Sequence, residues 1–346
     1  MAVTVYFGTN RNAISGPVPN NFGTDFSSDG SLAYGRAVVK SVADESELGN
    51  SNIKIGSVAT GGFSASLQAE ITNTSTRHLL VYFHGFDYRF REVLMRSAFL
   101  SDWFGKGAPK VSSTVLAFSW PSLGSLSIDA YKTDYRSAGL SGGAFRSFLQ
   151  SVLPVVRAFK QGGPDRRVTL MAHSLGNHFL RSGLAAAIGP APGQVDAADL
   201  RAVVDRVVLA ASDEDEDSLS RPDGLSIALQ ICDRVYLYYN NQDLPLRLIS
   251  RPVNGINRLG IDGPPDKRSF VGSNITFVNC SAANPVIDRK REIRLDPQWH
   301  QYYRLVPEVR NDICGAMLGL DDAAMPNRIY RKKDNYYRLD LVKKKR

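Results

Sequence analysis

The stretch Met171–Phe179, MAHSLGNHF, places Ser174 between two different patterns. Residues 167–173 form an apolar run typical of a buried strand, and the residues after Ser174 have the apolar spacing of a helix. A tight turn from strand to helix needs small residues two positions on either side of the serine, because backbone segments approach closely there. Ala172 and Gly176 supply them. The stretch therefore predicts a nucleophile elbow with Ser174 at its tip.

Apolar runs rich in branched and aromatic residues alternate with helical patterns along the whole chain. The predicted strands are 3–7, 78–84, 113–120, 167–173, 206–212, 234–240 and 274–280. The predicted helices are 87–104, 128–160, 176–188 and 222–232. This alternation predicts an α/β fold of one domain, with a mostly parallel central sheet and helices on both faces. The longest irregular connection, 245–272, is a candidate loop over a site.

The net charge of +8 in 346 residues is unevenly distributed. Residues 331–346 hold eight Lys/Arg and two Asp, a net of +6, which leaves +2 for the remaining chain (8 minus 6). A nearly neutral body does not predict a groove that follows nucleic-acid phosphates. We expect a domain in 1–330 followed by a basic, solvated tail in 331–346, with weak attraction of the tail to anionic surfaces as the alternative.

Membrane insertion, secretion and metal binding are not expected from the composition. No apolar run approaches the roughly 20 residues that span a bilayer, and the first residues lack the pattern of a signal peptide. The three cysteines, Cys232, Cys280 and Cys314, are widely spaced and odd in number, which favours buried reduced thiols over disulfides or a zinc site. We therefore expect a cytoplasmic protein that needs neither metal nor organic cofactor.

A serine hydroxyl becomes a nucleophile only when a base accepts its proton, so the elbow requires a histidine. In folds with this elbow the chain order is serine, acid, histidine. Of the five histidines, only His300 follows the later strands, and it is the predicted base. The acid should directly follow a strand between the two. Asp243, after the strand 234–240, is favoured, and Asp213 in the acidic cluster 212–217 is the alternative.

An oxyanion hole needs two backbone N–H groups. Leu175 supplies one, and the loop in VYFHGFDY (81–88) fits the second, with Phe86 as donor and Gly85 allowing close approach. His84 is predicted to brace this loop. Three aromatic residues near the same edge are candidates for lining a substrate pocket, with core packing as the alternative: Trp120, Tyr131 and Tyr302.

Nine short motifs appear in order between about residues 5 and 303. They are FGTNRN, VYFHGFDYRF, FSWPS, YKTD, AHSLGN, VVLAASDED, NNQDLPL, INRLG and WHQYY. In this order the chain resembles a bacterial branch of the α/β-hydrolase superfamily that is catalogued as a domain of unknown function. The resemblance implies a triad of Ser174, Asp243 and His300, with Phe86 and Leu175 as the oxyanion donors. Asp87 stands where this branch is expected to have asparagine, which affects the bonding of the oxyanion loop.

The expected function is hydrolysis of a small carboxylic ester by a serine hydrolase, through an acyl-enzyme intermediate. A thioesterase, a lipase or an acyltransferase would use the same triad. The alternative of another class is a non-catalytic binding protein on a hydrolase scaffold. Acyl-chain length, physiological substrate and oligomeric state are open at this point.

Overall fold

The computed structural model describes residues 2–14, 21–40, 53–283 and 299–340. The strands are β1 (Ala2–Thr9), β2 (Arg11–Ala13), β3 (Phe22–Phe26), β4 (Ala33–Lys40), β5 (Ile53–Thr60), β6 (His78–Phe83), β7 (Ser113–Ser119), β8 (Arg167–His173), β9 (Arg206–Ala210), β10 (Arg234–Tyr239), β11 (Ile275–Asn279), β12 (Arg328–Arg331) and β13 (Tyr336–Leu339). The helices are α1 (Ala65–Thr72), α2 (Phe90–Gly105), α3 (Ile128–Leu140), α4 (Gly142–Gln161), α5 (Gly176–Ala187), α6 (Ala197–Arg201), α7 (Arg251–Asn254), α8 (Leu259–Asp262), α9 (Tyr302–Leu305) and α10 (Pro307–Leu318).

One mixed sheet of 11 strands organises the fold, in the order β12-β13-β11-β10-β9-β8-β6-β7-β1-β4-β5. The strands from β11 to β1 in this order run parallel to one another, and they are the seven predicted strands. Strands β4 and β5 add an antiparallel edge beside β1. The near-continuous apolar runs of the parallel strands follow from burial on both faces.

Helices cover both faces of the sheet, as the sequence predicts. On one face α4 and α5 pack through Phe145 and Phe179 against Phe83 and Phe118 of the central strands. On the other face α2 and α10 belong to a cluster that contains alternate side chains of β6. The carboxyl ends of the parallel strands therefore meet at one edge, where the loops after β6, β8 and β10 come together.

Two predicted helices differ in the structure. The span 128–160 is divided at Ser141 into α3 and α4, and Gly142 lies so close to α5 that a Cβ atom there would be 2.9 Å from the carbonyl oxygen of Ser182. Two consecutive glycines after Ser141 also disfavour a continuous helix. The span 222–232 contains only a 3-10 turn at Leu225–Leu229, because Pro222 and Gly224 leave too few residues before β10.

The sheet continues past residue 330, where the sequence places the start of a solvated tail. Strands β12 and β13 form an antiparallel pair, and β13 joins the edge of β11. The side chain of Arg328 is buried there and makes an ion pair of 2.7 Å with Asp312. Basic side chains on these short strands conceal the alternation that marks a strand in the sequence. Residues 341–346 of the predicted tail lie outside the described residues.

The cysteines are all buried and free, as expected. Burial raises the pKa of the Cys232 and Cys314 thiols to about 12, so both remain protonated at neutral pH. In the described part of the chain, none of the helices has the length and hydropathy needed to cross a bilayer.

Candidate active site

Ser174 lies at the tip of a sharp turn between β8 and α5. Its backbone has a φ of 53°, in the left-handed region that a residue with a Cβ atom seldom adopts. The turn is held because the Ser174 N–H donates to the Ala210 carbonyl at 3.0 Å and the Asn177 N–H donates back to the Ser174 carbonyl at 3.0 Å. A Cβ atom at Gly176 would lie 2.5 Å from the Phe83 carbonyl oxygen, so only glycine fits there. The strained turn presents the Ser174 hydroxyl above the edge of the sheet.

His300 and Asp243 meet beside this turn. The Nδ1–H of His300 donates to Asp243 Oδ2 at 2.7 Å, and Asp243 is fully buried. The other carboxylate oxygen of Asp243 accepts the Leu246 N–H at 3.0 Å, which fixes the carboxylate at the start of a helical turn. A carboxylate on Nδ1 keeps the proton of a neutral imidazole on that nitrogen and makes Nε2 the acceptor, which is the form that a general base requires.

Asp213, the alternative acid, makes hydrogen bonds to other partners than His300. Arg258 Nε donates to its Oδ1 at 2.9 Å, and the Tyr131 hydroxyl donates to its Oδ2 at 2.9 Å. Ser250 also donates to Oδ1. These three donors occupy both oxygens of Asp213, whereas Asp243 bonds the imidazole.

Arginines neutralise the acidic cluster 212–217. Arg258 is fully buried and also pairs with Asp215, and Arg221 pairs with both Asp215 and Asp217. Among the described residues, no group of three or more His, Cys, Asp or Glu side chains is arranged to hold a metal ion.

Glu214 of the same cluster makes a separate buried pair with His178. Its carboxylate accepts the Nδ1–H of His178 at 2.6 Å and the Nε–H of Arg181 at 2.9 Å. Burial alone would raise the pKa of Glu214, but the His178 hydrogen bond and the charges of His178 and Arg181 lower it to about 2. A depressed carboxyl pKa stabilises the fold above the unfolded pKa, near 4.5, and this stabilisation is lost as the pH falls towards 2.

We expect Glu214→Gln to lower the free energy of unfolding at pH 7 by about 3 kcal/mol and to flatten its decline between pH 5 and pH 2. Urea unfolding across this range measures both effects. Asp223→Asn, a change at an exposed carboxylate, is the matched control and should alter stability by less than about 0.5 kcal/mol. An acid decline in Glu214→Gln as steep as in the wild type would contradict this prediction.

The loop after β6 passes directly over Ser174. A Cβ atom at Gly85 would lie 2.9 Å from the Ser174 Cβ, so glycine is what permits this approach. The backbone N–H groups of Phe86 and Leu175 donate no hydrogen bond to any acceptor in the described ranges. Two amides without an acceptor at the Ser174 turn meet one requirement of an oxyanion hole.

His84 and Trp120 support this loop from beneath. The Nδ1–H of His84 donates to the Gly85 carbonyl at 2.8 Å, and its ring stacks on Trp120 at 4.6 Å. Trp120 Nε1–H donates to the His84 carbonyl at 3.2 Å. Trp120 is completely buried, its ring packs between His84 and Phe179, and it does not line the cavity, so of the two expectations for this residue the structure has core packing.

Tyr131 and Tyr302 differ in their placement. Tyr131 lines the cavity, and its ring packs edge-on against Phe86 at 5.6 Å. Tyr302 does not line it: the side chain is buried, and its hydroxyl donates to the Tyr238 carbonyl at 2.8 Å and accepts the Ala211 N–H at 3.0 Å. Because these backbone groups lie beneath the site, Tyr302 anchors the His300 segment to the sheet.

A cavity of about 510 Å³ opens at Ser174 and His300. Its lining includes the apolar residues Phe86, Met95, Leu126, Leu246 and Ile249 and the polar or charged residues Asp87, Glu92, Arg96, Gln301 and Arg304. Part of the predicted loop over a site lines it, through residues between 245 and 250. Burial, with the neighbouring charges of Glu92 and Asp134, raises the pKa of Asp87 to about 6.

His173 is a residue of the site to which the sequence assigns no role. Its Nε2–H donates to the His300 carbonyl at 3.3 Å, and its ring packs against Tyr303 at 4.5 Å. Burial and the neighbouring His300 lower its pKa well below the usual value, so the ring stays neutral. Its place next to Ser174 in the sequence is the available signal, but no local pattern reveals a contact across 127 residues of chain.

Comparisons with known proteins identify a family of hydrolases. The family model described as alpha/beta hydrolase of unknown function (DUF900) matches residues 60–291. A predicted CIB-like hydrolase from Thermoplasma acidophilum is 13% identical with a TM-score of 0.34, over 84% of this chain and 95% of that one. An acetyl xylan esterase is 13% identical with a TM-score of 0.33, over 71% and 97%. A Trichoderma reesei cutinase with a phosphonate inhibitor is 12% identical with a TM-score of 0.25, over 43% and 56%.

Among curated proteins no match was found. The family model covers about two thirds of the chain, including β6 with its loop, the elbow at Ser174 and Asp243. The parallel sheet, the helices on both faces and the strand-turn-helix at Ser174 have the architecture that this family description implies. The chain belongs to the family of alpha/beta hydrolases of unknown function (DUF900).

Proposed function

We propose that the protein is a serine hydrolase that cleaves carboxylic esters. Ser174 attacks the ester carbonyl, and His300 accepts the hydroxyl proton and returns it to the leaving alcohol. Asp243 holds the imidazole in the required tautomer. A water molecule, deprotonated by His300, then hydrolyses the acyl-enzyme. The substrate is a small-molecule ester.

The observation that carries this proposal is the pair His300–Asp243 at 2.7 Å beside a serine with a left-handed backbone. A buried serine in a core turn needs neither the strain nor a carboxylate-bonded imidazole in the same cavity. The two unbonded amides of Phe86 and Leu175 support the same chemistry, because they can stabilise the negative oxygen of a tetrahedral intermediate. Ligand binding without catalysis does not require this combination of a strained serine, a carboxylate-bonded imidazole and two unbonded amides.

The cavity supports an ester with a short or medium acyl chain. Its volume of about 510 Å³ lies within the range of small-molecule sites, and its lining combines apolar side chains with charged groups. The apolar lining, which includes Phe86 of the loop after β6 and the Tyr131 ring packed against it, suits the acyl chain. A thioester or an acyl-transfer acceptor would use the same groups, so these activities are outcomes that the experiment must separate.

Hydrolysis of p-nitrophenyl esters from acetate to palmitate tests the proposal. We expect turnover by the wild type to be highest for an acyl chain shorter than palmitate. In His300→Ala we expect kcat to fall by about 10³-fold or more. His178→Ala is the matched control, because it removes a buried histidine outside the cavity and should retain kcat in the folded fraction. If the wild type hydrolyses none of these esters but hydrolyses acyl-thioesters, the ester proposal is contradicted and the substrate class is thioesters.

A further inference from the structure

Three side chains that the reaction itself does not use hold the oxyanion loop, residues 84–88. We propose that Arg11, Ser122 and Asp134 form a loop clamp that positions the Phe86 N–H for the oxyanion, and that they are positioning residues for catalysis. The inference rests on the proposed function. Each of the three lies in one of the motifs FGTNRN, FSWPS and YKTD, to which the triad gives no role.

Arg11 is the centre of the loop clamp. Its guanidinium donates to the Tyr88 carbonyl at 2.8 Å and to the Ser122 carbonyl at 3.0 Å. It also donates to the Ser119 hydroxyl at 2.8 Å and the Gly23 carbonyl at 3.0 Å. One planar group therefore ties the end of the oxyanion loop to the segment after β7 and to β3. A lysine has a single ammonium group and could not donate to all of these acceptors in the same geometry.

Asp134 holds the same loop from the side of α3. Its Oδ2 accepts the Asp87 N–H at 3.4 Å and the Ser122 hydroxyl at 2.5 Å, and Oδ1 accepts the Leu123 N–H at 2.9 Å. The Ser122 hydroxyl in turn accepts the Tyr88 N–H at 3.1 Å. Both residues that follow Phe86 are thus fixed through their backbone amides.

The oxyanion loop needs such support because its own backbone does not favour this shape. Asp87 has a φ of 66°, and Gly85 on the other side of Phe86 has no side chain to restrict it. A residue with a Cβ atom keeps a left-handed backbone only where the surroundings impose it. The Phe86 amide, which lies between these two residues, would lose its direction if the loop relaxed.

The choice of residue types argues that the loop clamp does more than stabilise the core. Arg11 is buried, yet among the described residues its hydrogen bonds go only to carbonyl and hydroxyl oxygens and to no carboxylate. This burial lowers the pKa of Arg11 to about 9. The charges of Asp134 and Glu92 oppose this shift without a direct ion pair to Arg11. Arg328, whose side chain is also buried, is paired with two aspartates. A buried guanidinium that bonds loop carbonyls in place of a carboxylate is costly for stability, which fits a role in the site.

The kinetic test uses Arg11→Met and Asp134→Asn. Each should lower kcat for a p-nitrophenyl ester by about 10- to 100-fold, with KM changed by less than about 3-fold, because the oxyanion forms only after substrate has bound. Affinity for a trifluoromethyl ketone, whose serine adduct carries an oxyanion, should fall in parallel with kcat. The double variant should lose less than the product of the single losses, because both changes release one loop.

Arg328→Met is the matched control for the loss of a buried arginine. It should lower the unfolding temperature and leave kcat and trifluoromethyl ketone affinity unchanged in the folded protein. If Arg11→Met behaves like Arg328→Met, the loop clamp has no catalytic role and the proposal is overturned. A loss of substrate affinity in Arg11→Met as large as the loss of trifluoromethyl ketone affinity would overturn it as well.

Hydrogen–deuterium exchange tests the loop clamp independently of activity. In Arg11→Met the hydrogen-bonded amides of Asp87 and Tyr88 should exchange at least about 10-fold faster, while those of α10 keep the wild-type rate. Unchanged exchange at Asp87 and Tyr88 would refute the clamp even in an active enzyme. Exchange could be faster in Arg11→Met while the wild type hydrolyses no ester and binds no trifluoromethyl ketone. In that case the three residues do hold the loop, but the proposed function and the catalytic role of the clamp are both refuted.

Discussion

Replacement of Ser174 by alanine is expected to lower kcat for ester hydrolysis by about 10⁵- to 10⁶-fold. The hydroxyl is the atom that forms the acyl-enzyme in the proposed mechanism, and no other hydroxyl takes its place at the tip of the elbow. The residual rate over water would come from the Phe86 and Leu175 amides and from binding alone. Steady-state kinetics on a p-nitrophenyl ester, with KM and kcat measured separately, checks the prediction.

The Ser174→Ala variant should fold normally, since the change removes one hydroxyl and leaves the Cβ atom and the backbone bonds of the turn in place. Ser97→Ala is the control: this serine is also buried, and its hydroxyl donates to the Val93 carbonyl within α2. It should keep the wild-type kcat. A Ser174→Ala enzyme with more than about a tenth of the wild-type activity would show that the elbow serine is not the nucleophile.

The second large effect concerns the acid. Asp243→Asn should lower kcat by about 10⁴-fold, because an amide beside Nδ1 favours the wrong imidazole tautomer and cannot stabilise the imidazolium. The bond from the Leu246 N–H to the side-chain oxygen can persist, so the local fold should survive. The loss should appear in kcat and not in KM, which steady-state kinetics on the same ester separates.

Asp213→Asn distinguishes the two candidate acids. It breaks the ion pair with Arg258, which has no exposed surface, and should destabilise the fold by about 3–5 kcal/mol. We expect kcat of the folded fraction to change by less than about 10-fold. The reverse pattern, with activity lost in Asp213→Asn and kept in Asp243→Asn, would move the acid to the loop after β9.

Much of the fold can be predicted from the sequence because the parallel strands are buried on both faces. Strands such as β8 and β10 are short, continuous apolar runs, and this pattern is typical of strands in the middle of a parallel sheet. The edge strands are harder to predict: β4 and β5 carry several side chains that are only partly buried, and β12 and β13 carry arginines. The predicted helix at 222–232 is wrong because proline and glycine near its start outweigh the apolar residues that follow.

The order of residues along the chain predicts the base and the acid of the candidate site, but not the residues that line its cavity. Position after the last strands selects His300 and favours Asp243, and the structure brings these two together at 2.7 Å. The aromatic residues cannot be sorted in this way, because whether the ring of Tyr131 or Trp120 faces a cavity or the core depends on packing across the sheet. The contacts of Arg11 with Tyr88 and Ser122 span 77 and 111 positions, and no local pattern reveals them.

The most direct test of the central claim is labelling with a fluorophosphonate probe, which reacts only with a serine that a functioning site activates. Wild-type protein should gain the mass of one probe, and peptide mapping should place it on Ser174. Neither Ser174→Ala nor heat-unfolded wild type should be labelled. A native wild type that remains unlabelled, or that is labelled at the same rate after Ser174→Ala, would contradict the account.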